Sequence, residues 1–240
     1  MPLPDALPDA LVARDFSRRL RTWFRRHGRD LPWRRTRDPY RVLVSELMLQ
    51  QTQVSRVIDY YHRFLERFPS LHVVAESPQS HVVDAWEGLG YYARARNLHA
   101  LARRVTRDGP GALPHRPSEL QALPGVGAYT AGAVASFAFE QRAALVDTNV
   151  ARVLARVFSP TLRPKRPRDL TQLWRVAEAL LPRQGRSTWT HNQALMELGA
   201  LVCTARVRHC TRCPVSRLCA TRKRDVAEGR DVAEGRDVAT

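Results

Sequence analysis

Cysteine, acidic residues and long apolar runs are all scarce in this sequence. No cysteine precedes Cys203, and no apolar run is long enough to cross a bilayer. Residues 1–8 show no basic-then-apolar pattern of the kind found in signal peptides. A membrane protein and a small secreted disulfide scaffold are therefore poor interpretations. We expect a soluble cytoplasmic protein without a membrane partner.

The shortage of acids leaves a large positive charge. Lysine and arginine number 39 against 23 aspartates and glutamates, so the formal net charge is +16. The last sixteen residues contain five acids and two arginines, so residues 1–224 carry +19. Such a field attracts polyanions, of which nucleic-acid phosphate is the commonest. Charge alone thus favours nucleic-acid binding, with simple solubility as the alternative.

The four cysteines are confined to one short segment. Cys203, Cys210, Cys213 and Cys219 have the spacing C-x6-C-x2-C-x5-C. Four thiolates can close a tetrahedral zinc site or hold an iron–sulfur cluster. Structural zinc sites usually pair their ligands as two CxxC units, and this segment has only one. The spacing therefore leans toward iron–sulfur and leaves zinc open, while two disulfides would need an oxidising compartment.

Helical periodicity dominates the rest of the chain, and strand patterns are rare. We predict an all-α protein. Pro69 ends one long helical region, and a tandem repeat, Asp225–Arg230 followed by Asp231–Arg236, marks a tail from 223 to 240 that we predict to be disordered. The predicted helices cover residues 16–27, 40–68, 77–86, 92–107, 117–122, 128–138, 148–158, 169–181 and 189–201.

A glycine-bearing turn separates two of these helices. Gly125, Val126 and Gly127 lie in LPGVGAYT, directly before the helix predicted at 128–138. Glycine allows close approach of a ligand, and the free N–H groups of a helix N-terminus attract anions. In a basic protein the obvious anion is a DNA phosphate. An ordinary helix–helix turn is the alternative.

Two carboxylates stand out by position. Glu46 has Val42, Leu43 and Leu49 as helical neighbours, and a desolvated carboxyl favours its protonated form. Asp147 precedes a helix, where a capping role is the plainer interpretation and stabilisation of a developing cation the functional one. Asn149 is the polar neighbour that would orient it. A surface Glu paired with arginine is the alternative for Glu46.

Taken together, these segments resemble the helix-hairpin-helix DNA glycosylase superfamily, and most closely its adenine DNA glycosylases. The resemblance runs from about Phe16 to Cys219. The strings that carry it are LPWRR at 31–35, SELMLQQTQV at 45–54, WEGLGYYARARNLH at 86–99, LPGVGAYTAG at 123–132, VDTNVARVLAR at 146–156 and ALMELGALVCT at 194–204.

The resemblance implies a two-lobed fold with a C-terminal 4Fe–4S cluster loop. Residues 30–140 would form a six-helix barrel lobe with the hairpin. Residues 1–29 would pack with 141–222, which carries the four cysteines as cluster ligands, and DNA with the extruded base would lie between the lobes. The resemblance thus favours iron–sulfur over zinc. It also implies a bacterial-type, nucleoid-associated monomer that binds double-stranded DNA with a mismatched or oxidised base pair.

The resemblance assigns roles to individual residues. Glu46 would protonate adenine N7 and then help to activate water, and Asp147 would stabilise the oxocarbenium-like sugar electrostatically or by transient covalent capture. Tyr129 and Asn149 match residues that assist this site. Trp33, Arg34 and Leu49 match the adenine pocket, and Gln51 and Tyr91 match residues that intercalate near the opposite base.

Two departures from the family pattern matter. Related endonuclease III-like enzymes have a nucleophilic lysine where this chain has Tyr129, so we expect base removal with little or no strand cleavage. The domain that usually reads 8-oxoguanine does not follow the cluster segment, so we expect adenine removal opposite guanine, or opposite 8-oxoguanine with reduced selectivity. A thymine or uracil mismatch glycosylase and a non-catalytic iron–sulfur DNA-binding module are the alternatives. Glu46 argues against thymine, which has no N7.

Overall fold

The computed structural model describes residues 7–107, 109, 111–230 and 235–236. These residues form twelve α-helices and one small sheet, so the predicted all-α class is confirmed. None of the described helices is long and apolar enough to cross a membrane. The helices are α1 (Ala10–His27), α2 (Pro39–Leu49), α3 (Val54–Arg67), α4 (Leu71–Glu76), α5 (Gln79–Asp84), α6 (Ala93–Arg107), α7 (Pro117–Gln121), α8 (Ala128–Phe137), α9 (Thr148–Phe158), α10 (Pro167–Leu180), α11 (Gly185–Leu201) and α12 (Ala220–Ala227).

The chain divides into two compact units. Residues Asp30–Gln141 form what we call the middle unit, and Met1–Arg29 together with Arg142–Thr240 form the terminal unit. The middle unit contains α2 to α8 and a 3₁₀ turn at Pro32–Arg34. The terminal unit contains the other helices, 3₁₀ turns at Cys210–Arg212 and Ser216–Leu218, and strands β1 (Val207–Arg208) and β2 (Gly235–Arg236), which pair antiparallel.

Helix α2 is the central helix of the middle unit. Asp38 caps it by accepting a hydrogen bond from the Arg41 N–H at 2.9 Å, and Pro39 suits the first helical position. Every residue from Val42 to Met48 is buried, because α3, α6 and α8 all pack against this helix. The apolar composition of α2 thus carries Glu46 into the interior of the unit.

The single long helix predicted over 40–68 is wrong. The chain leaves the helical conformation at Gln50–Gln53, where Gln51 has a φ of +57°, and resumes in α3. The carbonyl groups at the end of α2 are bound by the buried Arg94 guanidinium instead of by a further helical turn. No glycine or proline marks this break, so periodicity alone extended the helix through it.

The terminal unit is built on helix packing and on ion pairs with buried carboxylates. Helix α1 packs against α10 and α11, and α9 packs against α10, α11 and α12. Phe16, which is fully buried, contacts Phe158 edge-on with 5.0 Å between ring centroids. Arg29 forms a two-pronged ion pair with the buried Glu197, and both of its N–H···O distances are 2.8 Å.

The disorder predicted from residue 223 is wrong at the start of that segment. Helix α12 includes residues 223–227, since the buried Asp225 carboxylate binds Arg208 at 2.6 Å and Arg230 at 2.5 Å. Gly229, with a φ of +67°, follows the helix rather than preventing it. Residues 231–234 and 237–240 lie outside the described residues. Helix α4, the start of α1 and the first turn of α11 were not predicted from the sequence either.

Candidate active site

A buried carboxyl group meets a tyrosine hydroxyl in the middle unit. Glu46 is only 2% exposed, and the Tyr129 hydroxyl donates a hydrogen bond to its Oε2 at 2.8 Å. Glu46 comes from α2, and Tyr129 from the second position of α8. Both residues were predicted to belong to one site, and the structure brings them together. A desolvated carboxyl whose orientation a hydroxyl fixes is placed to exchange a proton with a bound base.

A second polar contact joins the same two helices. The Gln50 side-chain amide donates to the Thr130 hydroxyl at 3.3 Å, one residue beyond Tyr129. Leu49, the last residue of α2, is half-buried beside it. The end of α2 and the start of α8 are therefore held together by polar groups within an otherwise apolar core.

Trp33 and Arg34 lie on the 3₁₀ turn that packs against α2. Trp33 is 6% exposed and packs edge-on against Tyr61, with 5.5 Å between ring centroids. Arg34 is half-buried. The structure thus places both predicted pocket residues next to the helix of Glu46, and shows Trp33 as part of the core.

The glycine turn has the geometry that its sequence predicts. Gly125 has a φ of +74°, and a Cβ atom there would lie 2.5 Å from the Cβ of Asn97. Only glycine fits this position. Val126 is buried, and Gly127 is the N-cap of α8 without a side-chain capping bond. The N-terminus of α8 thus begins at a glycine turn, the kind of place where phosphate can bind.

Asp147 is the N-cap of α9, as the plainer interpretation held. Its Oδ1 accepts from the Val150 N–H at 2.6 Å, and its Oδ2 from the Asn149 side chain at 3.2 Å. Burial raises the pKa of Asp147, while the bonds from Val150 and Asn149 and the charge of Arg152 oppose this rise. A capped carboxylate surrounded by fixed donors can stabilise a nearby positive charge.

The structure adds two residues around Asn149 that sequence reasoning missed. Arg152 donates to the Asn149 side-chain oxygen at 2.7 Å, to the Gly199 carbonyl at 2.7 Å and to the Cys203 carbonyl at 3.0 Å. Gly199 admits Asn149, because a Cβ there would lie 2.8 Å from the Asn149 Cβ. A glycine inside the predicted helix was the one signal of this close approach.

The four cysteines line one cavity in the terminal unit. Arg156 donates to the Cys203 sulfur at 3.2 Å, and the Arg222 N–H to the Cys219 sulfur at 3.5 Å. Burial raises the pKa of Cys213 to about 12 and also raises the pKa of Cys210 and Cys219. As free thiols these groups are neutral, so a metal would have to displace their protons.

The donor set fits an iron–sulfur cluster. Thiolates are its usual ligands, and N–H donors to sulfur with nearby arginines stabilise the negative charge of such a group. Arg156, Arg208 and Arg222 all line the same cavity. Among the described residues, no three His, Cys, Asp or Glu side chains are arranged to hold a single metal ion.

The family of the chain follows from its sequence match. The model of the HhH-GPD superfamily base excision DNA repair proteins matches residues 44–178, which include Glu46, the glycine turn and Asp147. The chain belongs to this superfamily. The resemblance stated from the sequence is confirmed at this level, and the fold class with it.

Several HhH-GPD relatives have curated names. The human adenine DNA glycosylase is 45% identical over 85% of this chain, and a Mycobacterium tuberculosis adenine DNA glycosylase is 42% identical over 92% of it. The chain spans 39% of the human protein and 73% of the mycobacterial one. A solved thermostable thymine-DNA glycosylase superposes with a TM-score of 0.80 at 33% identity, with 88% of this chain and 97% of that chain covered.

Proposed function

We propose that this chain is a monofunctional DNA glycosylase that hydrolyses the N-glycosidic bond of adenine mispaired with 8-oxoguanine or guanine. The observation that carries the proposal is the buried Glu46 carboxyl bound by Tyr129. Curated relatives named adenine DNA glycosylase support the choice of base. The formal net charge of +16 and the exposed Gly125 and Gly127 of the turn before α8 support binding to double-stranded DNA.

Glu46 is the proposed general acid. An adenine stacked in a duplex is out of reach, so the nucleotide must first be flipped out. Protonation at N7 then makes the base a better leaving group, and a carboxyl shielded from water keeps the proton that this step needs. The hydroxyl of Tyr129 holds the carboxyl in one orientation. After the base leaves, ionised Glu46 can accept a proton from the attacking water.

Asp147 is the proposed partner for the sugar cation. Cleavage of the C1′–N9 bond leaves positive charge on the deoxyribose, which a fixed carboxylate stabilises. Asn149 and the Val150 N–H keep both oxygens of Asp147 in place. Burial leaves this carboxylate poorly solvated, which raises its pKa and also strengthens its interaction with a nearby cation.

The absence of an amine at position 129 defines the expected product. A lyase needs a nucleophilic amine that forms a Schiff base with the sugar. Tyr129 offers only a hydroxyl, and it is bound to Glu46. We therefore propose that the product is an intact strand with an abasic site. The Tyr129→Lys variant tests this directly: it should become trappable on DNA by borohydride, whereas the wild type should not.

Cys203, Cys210, Cys213 and Cys219 are the proposed ligands of one 4Fe–4S cluster. When bound, the cluster would hold the basic segment 206–212 in a fixed conformation, with the exposed Arg206 and Arg212 placed for phosphate contact. Anaerobically purified protein should be brown and contain about four irons and four sulfides per chain. A colourless protein with one zinc would support the alternative, and Cys213→Ser should lose the metal in either case.

A mismatch panel decides among the candidate functions. Duplexes with adenine opposite 8-oxoguanine, guanine or thymine, and with thymine or uracil opposite guanine, are incubated with protein and then heated in alkali. Strand breaks only after alkali, and only at mispaired adenine, support the proposal. The similarity to a thymine-DNA glycosylase favours a second candidate, thymine removal, which breaks at thymine would support. No breaks would favour a DNA-binding module without catalysis.

A further inference from the structure

Arg94 is a buried arginine that the proposed chemistry does not use. It lies on α6 and is only 6% exposed, and among the described residues no carboxylate pairs with it. Burial lowers its pKa, so the charge stays in the core at a cost that its contacts must offset. Every hydrogen bond that the guanidinium forms goes to an oxygen of two surface turns or of the end of α2.

One edge of the guanidinium binds the end of α2 and the turn after it. The Nη1 atom lies 2.9 Å from the Leu47 carbonyl, 2.8 Å from that of Met48 and 2.6 Å from that of Gln50. The Thr52 hydroxyl is 3.2 Å away. Carbonyl groups in the last turn of a helix lack helical partners, and Arg94 supplies one. The same atom therefore fixes the backbone of the last turn of α2 and of the residues that follow it.

The other edge binds the glycine-aromatic turn before α6. The Nη2 atom donates to the carbonyls of Leu89 at 3.2 Å and Gly90 at 2.8 Å, and Nε lies 3.3 Å from the Tyr91 carbonyl. The guanidinium carbon also lies 5.7 Å from the centroid of the Tyr91 ring. One planar group thus joins two turns that are about forty residues apart in the sequence.

Both turns carry strained residues with exposed side chains. Gln51 has a φ of +57° and Tyr91 a φ of +49°, values that residues other than glycine rarely adopt. Such conformations persist only when surrounding contacts over-determine them, and Arg94 provides these contacts. Tyr91 is 61% exposed and Gln51 is exposed as well. The backbone is held rigidly while the side chains face outward.

We propose that Arg94 is a positioning residue that locks the turns of Gln51 and Tyr91 to the end of α2, so that insertion of these side chains into DNA and placement of Glu46 share one rigid frame. The inference rests on the proposed function for its DNA substrate. A lysine cannot replace Arg94, because a single ammonium cannot span two sets of carbonyls in one plane. A positive charge at position 94 is therefore not enough to hold both turns, because the planar shape of the guanidinium is also needed.

The test is DNA unstacking, measured apart from base removal. Wild type, Arg94→Lys and Arg94→Gln are mixed with a duplex in which 2-aminopurine neighbours a mispaired adenine, and its fluorescence reports loss of stacking. We expect unstacking to slow about tenfold or more in both variants, the effect of losing charged hydrogen bonds. Arg103→Lys and Arg103→Gln, at an exposed arginine of the same helix, should behave as wild type.

A substrate comparison separates positioning from a general structural role. Adenine opposite an abasic site is already unpaired, so it needs little unstacking. In the Arg94 variants, the excision rate of mispaired adenine should fall about tenfold further than the excision rate of unpaired adenine. Equal losses on both substrates, or wild-type unstacking in folded variants, would overturn the inference. If the variants do not fold, Thr52→Val decides: slower unstacking supports the inference, and unchanged unstacking overturns it.

The two proposals fail in distinguishable ways. If the wild type unstacks the duplex but removes no adenine, the proposed function fails and the role of Arg94 is still decided by fluorescence. If the wild type binds the duplex without any unstacking, the inference is overturned whatever base is removed.

Discussion

The middle and terminal units hold their key carboxylates in opposite ways. Glu46 lies in the middle of an apolar helix, and a neutral tyrosine hydroxyl binds it. Asp147 lies at the start of a helix, where a backbone N–H and the side-chain amide of Asn149 donate to its oxygens. Arg152 in turn donates to that amide. The first carboxyl is shielded by its apolar helix neighbours, and the second is held by capping donors that partly oppose the pKa rise caused by its burial. The two carboxylates thus lie in different environments, as the proposed roles of acid and cation stabiliser require.

Loss of the proposed acid should have the largest effect. Glu46→Gln keeps the shape but cannot donate a proton to N7, so the single-turnover rate of adenine removal should fall about 10³-fold. Single-turnover kinetics on a duplex with adenine opposite 8-oxoguanine measure this rate. Glu76→Gln, at an exposed glutamate of the same unit, should leave the rate unchanged. A Glu46→Gln protein with full activity would remove the acid assignment.

Loss of the proposed anion comes next. Asp147→Asn should reduce the rate about 10²-fold while the helix cap survives, since asparagine also caps well. Asp9→Asn, at an exposed N-cap of the terminal unit, is the matched control. If both variants keep the wild-type rate, Asp147 is only a cap.

The same variant tests the pKa of Asp147 through stability. Burial raises this pKa above its unfolded value, so ionisation of Asp147 destabilises the folded state. The penalty is absent below the unfolded value of about 3.9 and complete above the folded pKa. The Tm of Asp147→Asn relative to wild type should therefore rise with pH across this window and then level off. A difference that falls with pH would contradict the raised pKa.

Removal of the tyrosine hydroxyl should have a smaller effect. Tyr129→Phe frees Glu46 from one donor, and we expect about a tenfold loss of rate with little change in Tm. Tyr40→Phe removes another hydroxyl of the middle unit, one that binds the Phe68 carbonyl at 2.5 Å. This control should lower Tm and leave the rate per folded molecule unchanged. The reverse pattern would make Tyr129 structural and Tyr40 functional.

The smallest effect should come from the neighbouring contact between α2 and α8. Thr130→Val removes the hydroxyl that accepts from Gln50, at a long distance of 3.3 Å. We expect about a twofold to threefold loss of rate, because such a bond contributes little net free energy. Thr106→Val is the control on α6, where the hydroxyl binds only its own helix. A larger loss of rate in Thr130→Val than in Tyr129→Phe would contradict the expected order of the two effects.

Local patterns predicted much of this structure. Apolar spacing predicted most helices, and the glycines at 125 and 127 predicted the turn, because each depends on residues a few positions apart. The break after Leu49 was missed, since Gln51 adopts a positive φ without a glycine and Arg94, over forty residues away, stabilises it. Asn149 was identified, but not Arg152 or Gly199, whose roles depend on contacts between α9 and α11.

The most direct test is whether Glu46 delivers its proton to N7. Single-turnover rates are measured for wild type and Glu46→Gln on duplexes with adenine or 7-deazaadenine, which lacks N7, opposite 8-oxoguanine. The wild-type rate should be about 10³-fold lower on 7-deazaadenine than on adenine. The rate of Glu46→Gln, which is already low on adenine, should fall little further. Wild-type removal of 7-deazaadenine at the adenine rate, or equal discrimination by both proteins, would contradict the account.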